Sequence, residues 1–174
     1  MREDYNRAIE LEKGIFQFGP ISQPRENTGL RIFVHPYCAY YKDNLFYVRT
    51  RDKIIQEEVN PIIMLVDEND LKSTIKKYRR PLFKDYRMIV ETEYSDPQPK
   101  TKSWKELKKL IREEFNPRNI LISGAELHLT DGGYYGCVGN AFEHLKELKP
   151  KIQLETCYIV DEDWKKVKVI PKGF

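Results

Sequence analysis

Cys137 is the residue whose position most directly suggests chemistry. It stands in Gly136-Cys137-Val138-Gly139-Asn140, and from there apolar residues fall at Val138, Ala141, Phe142, Leu145 and Leu148, the spacing of one helix face. The thiol is therefore expected at a helix N-terminus, where unpaired backbone N–H groups and the positive end of the macrodipole favour a thiolate or hold an anion. Two chemistries follow: nucleophilic attack by the sulfur, or capture of a small anion by the same N–H groups. His35, which precedes Pro36 at the end of an apolar run, reads as a base or as a hydrogen-bonded structural histidine. Gly132, Gly133, Gly136 and Gly139 form neither a dinucleotide fingerprint nor a phosphate-binding P-loop, since no Gly-Lys-Ser/Thr follows them. His35 to Cys38 and Cys137 to His144 lack the spacing of a recognised ligand pair, so neither a metal nor a cofactor is expected.

These residues need a scaffold, and the hydrophobic pattern supplies one. Residues 30–37, 62–66, 87–91, 120–123 and 152–160 read as strands, with Ile152, Leu154, Thr156 and Tyr158 alternating in the last; 45–48 reads as a further strand or an edge ribbon. Helical spacing covers 67–80, with Asn69 or Asp70 as its cap. It also covers 103–115, opened by Ser103 with Glu106 at capping-box distance, and the segment after Cys137. Strand alternating with helix predicts an α/β fold, a three-layer sandwich in which a mainly parallel, Rossmann-like sheet carries helices on both faces. Residues 1–29, rich in turn formers, read as an N-terminal arm and 30–174 as a single domain. In such a sheet ligands bind beyond the carboxyl ends of the strands, where His35, Asp67, Glu68, Glu91, the 124–128 stretch and Asp161 would stand.

Composition limits the partners. The 174 residues are 40% hydrophobic, enough for one sizeable core, and 30 basic against 27 acidic side chains leave a net charge of only +3. No window approaches the roughly 18–20 apolar residues of a membrane span, so neither a membrane nor a nucleic-acid partner is expected. Cys38, Cys137 and Cys157 match no disulfide framework and read as reduced thiols of a cytoplasmic protein. Abundant Lys, Glu, Ile and Tyr resemble the composition of thermophilic proteins. Two adjacent aromatics, Tyr134 and Tyr135, lie in a polar loop and are placed on a pocket wall over the helix start.

The order Ile120-Leu-Ile-Ser-Gly124, a loop, Gly136-Cys137-Val138, a helix, and a strand running to Asp161 resembles the C-terminal half of the isochorismatase-like cysteine hydrolases. The resemblance implies Cys137 as nucleophile, a lysine at Lys100 or equally Lys102, and hydrolysis of a small amide-like bond. That family ends its first strand in an Asp that serves as base toward the cysteine. Here the position offers His35, leaving His35, Glu91, Glu126 or His128 as proton acceptor. The catalytic set is thus incomplete. The expected function is an α/β domain binding a small, anionic ligand or serving as an interaction protein, open to self-association. The alternative is a cysteine-dependent hydrolase using Cys137, Lys100 and His35. In either case Gly124, Gly136, Gly139, Tyr134 and Tyr135 are the expected binding residues.

Overall fold

Long apolar runs without polar alternation demand burial on both faces, and the central strands obtain it. The computed structural model describes residues 9–18, 29–57, 61–78, 87–94, 96–148, 151–155, 159–160 and 166–167. Five strands, β3 (Leu30–Val34), β4 (Ile62–Asp67), β5 (Arg87–Thr92), β6 (Asn119–Gly124) and β9 (Lys151–Leu154), pair in parallel in the order β5-β4-β3-β6-β9. The turn-rich opening stretch adds β1 (Ile9–Glu12) and β2 (Ile15–Phe18), a hairpin whose second strand lies antiparallel to β5 and extends the sheet to seven strands.

Helices cover both faces, as expected of a three-layer sandwich. On one face Phe33, Ile62, Met64 and Val66 pack with Tyr47, Ile54 and Ile55 of α1 (Leu45–Glu57) and against Leu71 and Ile75 of α2 (Glu68–Tyr78). On the other face Ile32, Val34, Ile63, Leu65, Ile120 and Ile122 meet Trp104 and Leu107 of α3 (Trp104–Leu110). The same core takes Ile111 and Phe115 from the π-helical turn that prolongs α3, and Val138, Ala141 and Leu145 of α4 (Gly136–Leu145). Neighbouring residues of one strand thus enter different cores, as a period of two requires.

One local expectation holds in detail. Ser103 accepts from the Glu106 N–H and the Glu106 carboxylate accepts from the Ser103 N–H, closing the capping box of α3. Trp104 is buried and stacks on His144 with ring centroids 4.8 Å apart.

Four expectations are corrected. Residues 45–48 are not a strand but the first turn of α1. Their aromatic and branched side chains favour β locally, yet burial recurs at Tyr47, Thr50, Arg51, Ile54 and Ile55, a helical period, and the Asn44 side chain accepts the Tyr47 N–H at 3.0 Å as a cap. Helix α2 is capped by Asp67, whose Oδ1 accepts from the N–H groups of Asn69 (2.8 Å) and Asp70 (3.3 Å), and not by either of those residues. The stretch between Gly124 and Cys137 is no irregular loop: β7 (Leu127–Thr130) and β8 (Gly133–Tyr135) form a hairpin turning at Asp131-Gly132. It belongs to a second sheet, in the order β11-β10-β7-β8, with β10 (Ile159–Val160) and β11 (Lys166–Val167). The strand expected over 152–160 therefore divides between two sheets. Residues 19–28, 79–80 and 156–158, which include Cys157, and Asp161 lie outside the described residues.

Strand order reverses between β3 and β6, where the chain segments leaving the two strands diverge. Gly124 closes β6 at this point: a Cβ there would lie 2.3 Å from Val138 Cγ2 and 2.9 Å from the Val34 carbonyl oxygen, so its hydrogen lets α4 sit directly on the sheet. Gly124→Ala is expected to destabilise the fold by about 1–3 kcal/mol through overpacking, read as a lower urea midpoint at unchanged slope. An unchanged midpoint would show that α4 does not press on β6 as described.

Candidate functional site

The chain leaves β3 under constraint. His35 adopts φ +47°, a left-handed conformation uncommon for a side chain of this kind, immediately before Pro36. Its N–H donates to the Leu65 carbonyl at 2.8 Å, and the buried Tyr47 hydroxyl donates to the carbonyls of His35 (3.0 Å) and Pro36 (2.9 Å). The turn sends residues 38–41 across the end of the sheet. There a short 3-10 turn (Ala39–Tyr41) is fastened by the Ala39 N–H donating to Asp70 Oδ2 at 3.2 Å.

A cavity of about 520 Å³ opens between this turn and the carboxyl ends of β3, β4 and β6. One wall carries His35, Cys38, Tyr40 and Tyr41; another carries Asp67, Asn69 and Asp70 from the β4–α2 junction. Ala39, Tyr94, which follows β5, and Glu126, His128, Gly136 and Cys137 complete the lining. Glu126 is the hub: its Oε2 accepts from the Tyr41 hydroxyl, its Oε1 lies 2.5 Å from His128 Nε2, and its backbone carbonyl accepts the Val138 N–H at 3.2 Å. Gly136, at φ +77°, allows this approach, since a Cβ there would come within 2.7 Å of His128 Cδ2.

The electrostatics run against thiolate chemistry. Cys137 stands in the first turn of α4, as expected, but burial first and then the Glu126 carboxylate push its thiol up to about 12. Cys38 is also raised, chiefly by burial. One N–H of the helix start, that of Val138, is already spent on Glu126. His35 is buried, with Nε2 3.2 Å from Thr92 Oγ1, and desolvation lowers its pKa against the opposing pull of Asp67 and Asp96.

The structure brings Cys137, His35 and Gly136, together with Asp67, Glu126 and His128, to one cavity and takes Lys100, Tyr134, Tyr135, Gly124 and Gly139 elsewhere. Lys100 is exposed; its ammonium pairs with Glu68 and, at 3.2 Å, with Glu91, which raises its pKa, and it does not line the cavity. Tyr134 packs edge-on against Phe142 at 5.2 Å, and Tyr135 is exposed with its hydroxyl 3.5 Å from the Gly132 carbonyl. Neither ring lines the cavity. Gly124 and Gly139 serve packing: a Cβ on Gly139 would lie 2.6 Å from the backbone of Tyr134. Tyr40, Tyr41, Tyr94 and Asp70 are cavity residues that the sequence reading missed. The adjacent Tyr40 and Tyr41, just beyond the end of a central strand, were the available signal. Among the described residues no group of three or more His, Cys, Asp or Glu is placed to hold a metal ion.

No family model, curated protein or solved structure matches this chain, so the chemistry is read from geometry. Burial of neutral His35 makes a pH prediction. Its pKa lies below the unfolded value of 6.5, so the unfolded chain takes up the proton first as pH falls. The contribution is fully present above 6.5 and is lost as pH drops through the folded-state value. His35→Asn keeps a residue that tolerates left-handed backbone and removes the titration. Chemical denaturation from about pH 7.5 to about pH 5 should show a shallower loss of stability in the variant. Parallel curves for the two proteins would contradict this reading of His35.

Proposed function

We propose that this chain is a small-molecule-binding α/β domain whose ligand seats in the cavity beyond β3, β4 and β6. The observation that carries the reading is the cavity itself: about 520 Å³, at the point where strand order reverses, walled by tyrosines and a fixed carboxylate network. Cavities of roughly 300–1,000 Å³ with a few convergent polar groups are the usual seats of small ligands. The anion suggested by the helix start finds little support from its neighbours. Asp67, Asp70 and Glu126 line the cavity, no lysine or arginine is among its described lining residues, and His35 is held toward the neutral form. An intracellular setting, with Cys38 and Cys137 kept as free thiols, fits this reading. Among the described residues no helix is long and apolar enough to cross a membrane.

The isochorismatase-like cysteine hydrolase reading keeps one favourable observation, Cys137 in the first turn of α4 with His35 and His128 around the same cavity. It requires a base able to deprotonate a thiol held at about 12, and Lys100 is committed to Glu68 and Glu91 elsewhere. Binding is the better-supported function.

The test is a thermal-shift panel of polar metabolites run against the native chain and Ala39→Trp. The substituted residue is exposed and lines the cavity, so an indole there fills the space without removing a charge. A ligand at about 100 times its Kd stabilises by about 2.7 kcal/mol, several degrees in a chain of this size. At least one compound should shift the native protein and leave Ala39→Trp unmoved. Equal shifts in both, or none in either, would remove the cavity as a ligand site.

A further inference from the structure

We infer that the cavity takes an organic ammonium ion, held between tyrosine rings and carboxylates that converge from separate elements. The inference rests on the binding function proposed above and names the class of its ligand. Carboxylates alone would say little; here they line a half-open cavity together with aromatic rings. Tyr40 and Tyr94 are 77% and 69% exposed, among the most exposed large apolar side chains of the described residues, and both stand at this cavity. Exposed rings clustered at a cavity mouth mark a binding surface, and rings attract cations to their faces.

The carboxylates are fixed in place by the fold. Asp67 is held by two N–H groups at the start of α2, Asp70 by the Ala39 N–H, and Glu126 by Tyr41 and His128. They come from the β4–α2 junction and from the segment after β6, so their field converges on the space between. The Cys137 thiol registers that field: after burial, its upward displacement comes from Glu126 and, more weakly, from Cys38, Asp96 and Asp67. Because these carboxylates already accept hydrogen bonds, they act on a ligand chiefly as charges, which suits a bulky, weakly hydrated cation.

Titration calorimetry with the intact chain tests this, using choline and putrescine as cations, 3,3-dimethylbutanol as the uncharged isostere of choline, and succinate as an anion. At least one cation should bind ten-fold or more tighter than dimethylbutanol and succinate. Its affinity should fall as salt is raised, and Glu126→Gln, which keeps partners for Tyr41 and His128, should weaken it ten-fold or more. Asp70→Asn provides a second variant should Glu126→Gln fail to fold. Binding of dimethylbutanol or succinate as tight as either cation would overturn the ammonium assignment and leave the cavity a ligand site. Neither cation binding, while the metabolite panel still yields a cavity-specific ligand, would overturn it in the same way. Failure of all probes and of the panel would remove both readings together.

Discussion

The site depends on one constrained backbone position, the left-handed turn at His35 where the central strand ends. A non-glycine residue in this region costs about 1–3 kcal/mol and persists only where its surroundings over-determine it. Here the Leu65 carbonyl holds its N–H, the Tyr47 hydroxyl holds its own and the next carbonyl, and Pro36 restricts the chain beyond. Each net hydrogen bond contributes about 0.5–1.5 kcal/mol, enough together to offset the strain. Without this turn the chain would continue along β3, and the segment bearing Cys38, Tyr40 and Tyr41 would not cross the sheet end.

From that turn the network propagates. The 3-10 turn carries the Tyr41 hydroxyl to Glu126, while Glu126 joins His128 on β7 and the first turn of α4. Gly124 and Gly136 let α4 approach closely enough for these contacts. The same compactness that positions α4 also buries Cys137 beside a carboxylate. A helix start that in isolation would favour a thiolate is thereby turned into a site hostile to one, because desolvation and a nearby negative charge outweigh the helix end.

The sheet was legible because its strands are short apolar runs, buried on both faces, and such runs need no tertiary context to stand out. Ser103 with Glu106 announced α3 for a similarly local reason. Residues 45–48 were misread because Phe46, Tyr47 and Val48 carry strand propensity, whereas the burial period that makes them a helix spans thirteen residues and a cap at Asn44. The hairpin before α4 was announced by Asp131-Gly132, a two-residue turn signal that reads as plain loop unless its flanks are paired. Cys137 was placed correctly along the chain, but its protonation depends on Glu126 and on burial, which spacing does not reveal. Tyr134 and Tyr135 looked like pocket residues through proximity in sequence. Tyr40, Tyr41 and Tyr94 hold that place through topology, arriving from the ends of β3 and β5.

The central claim is that burial, reinforced by the carboxylates of this cavity, keeps its thiol protonated. Alkylation of Cys137 by iodoacetamide in the folded protein, followed against pH by peptide mass analysis, measures the combined effect of burial and charge at the sulfur. The account predicts an apparent pKa well above the ordinary 9.0, near 12, and a rate at pH 8 roughly 1,000-fold below that of the unfolded chain. A Cys137 thiol titrating at or below the ordinary value would contradict the account and restore a nucleophile at the start of α4.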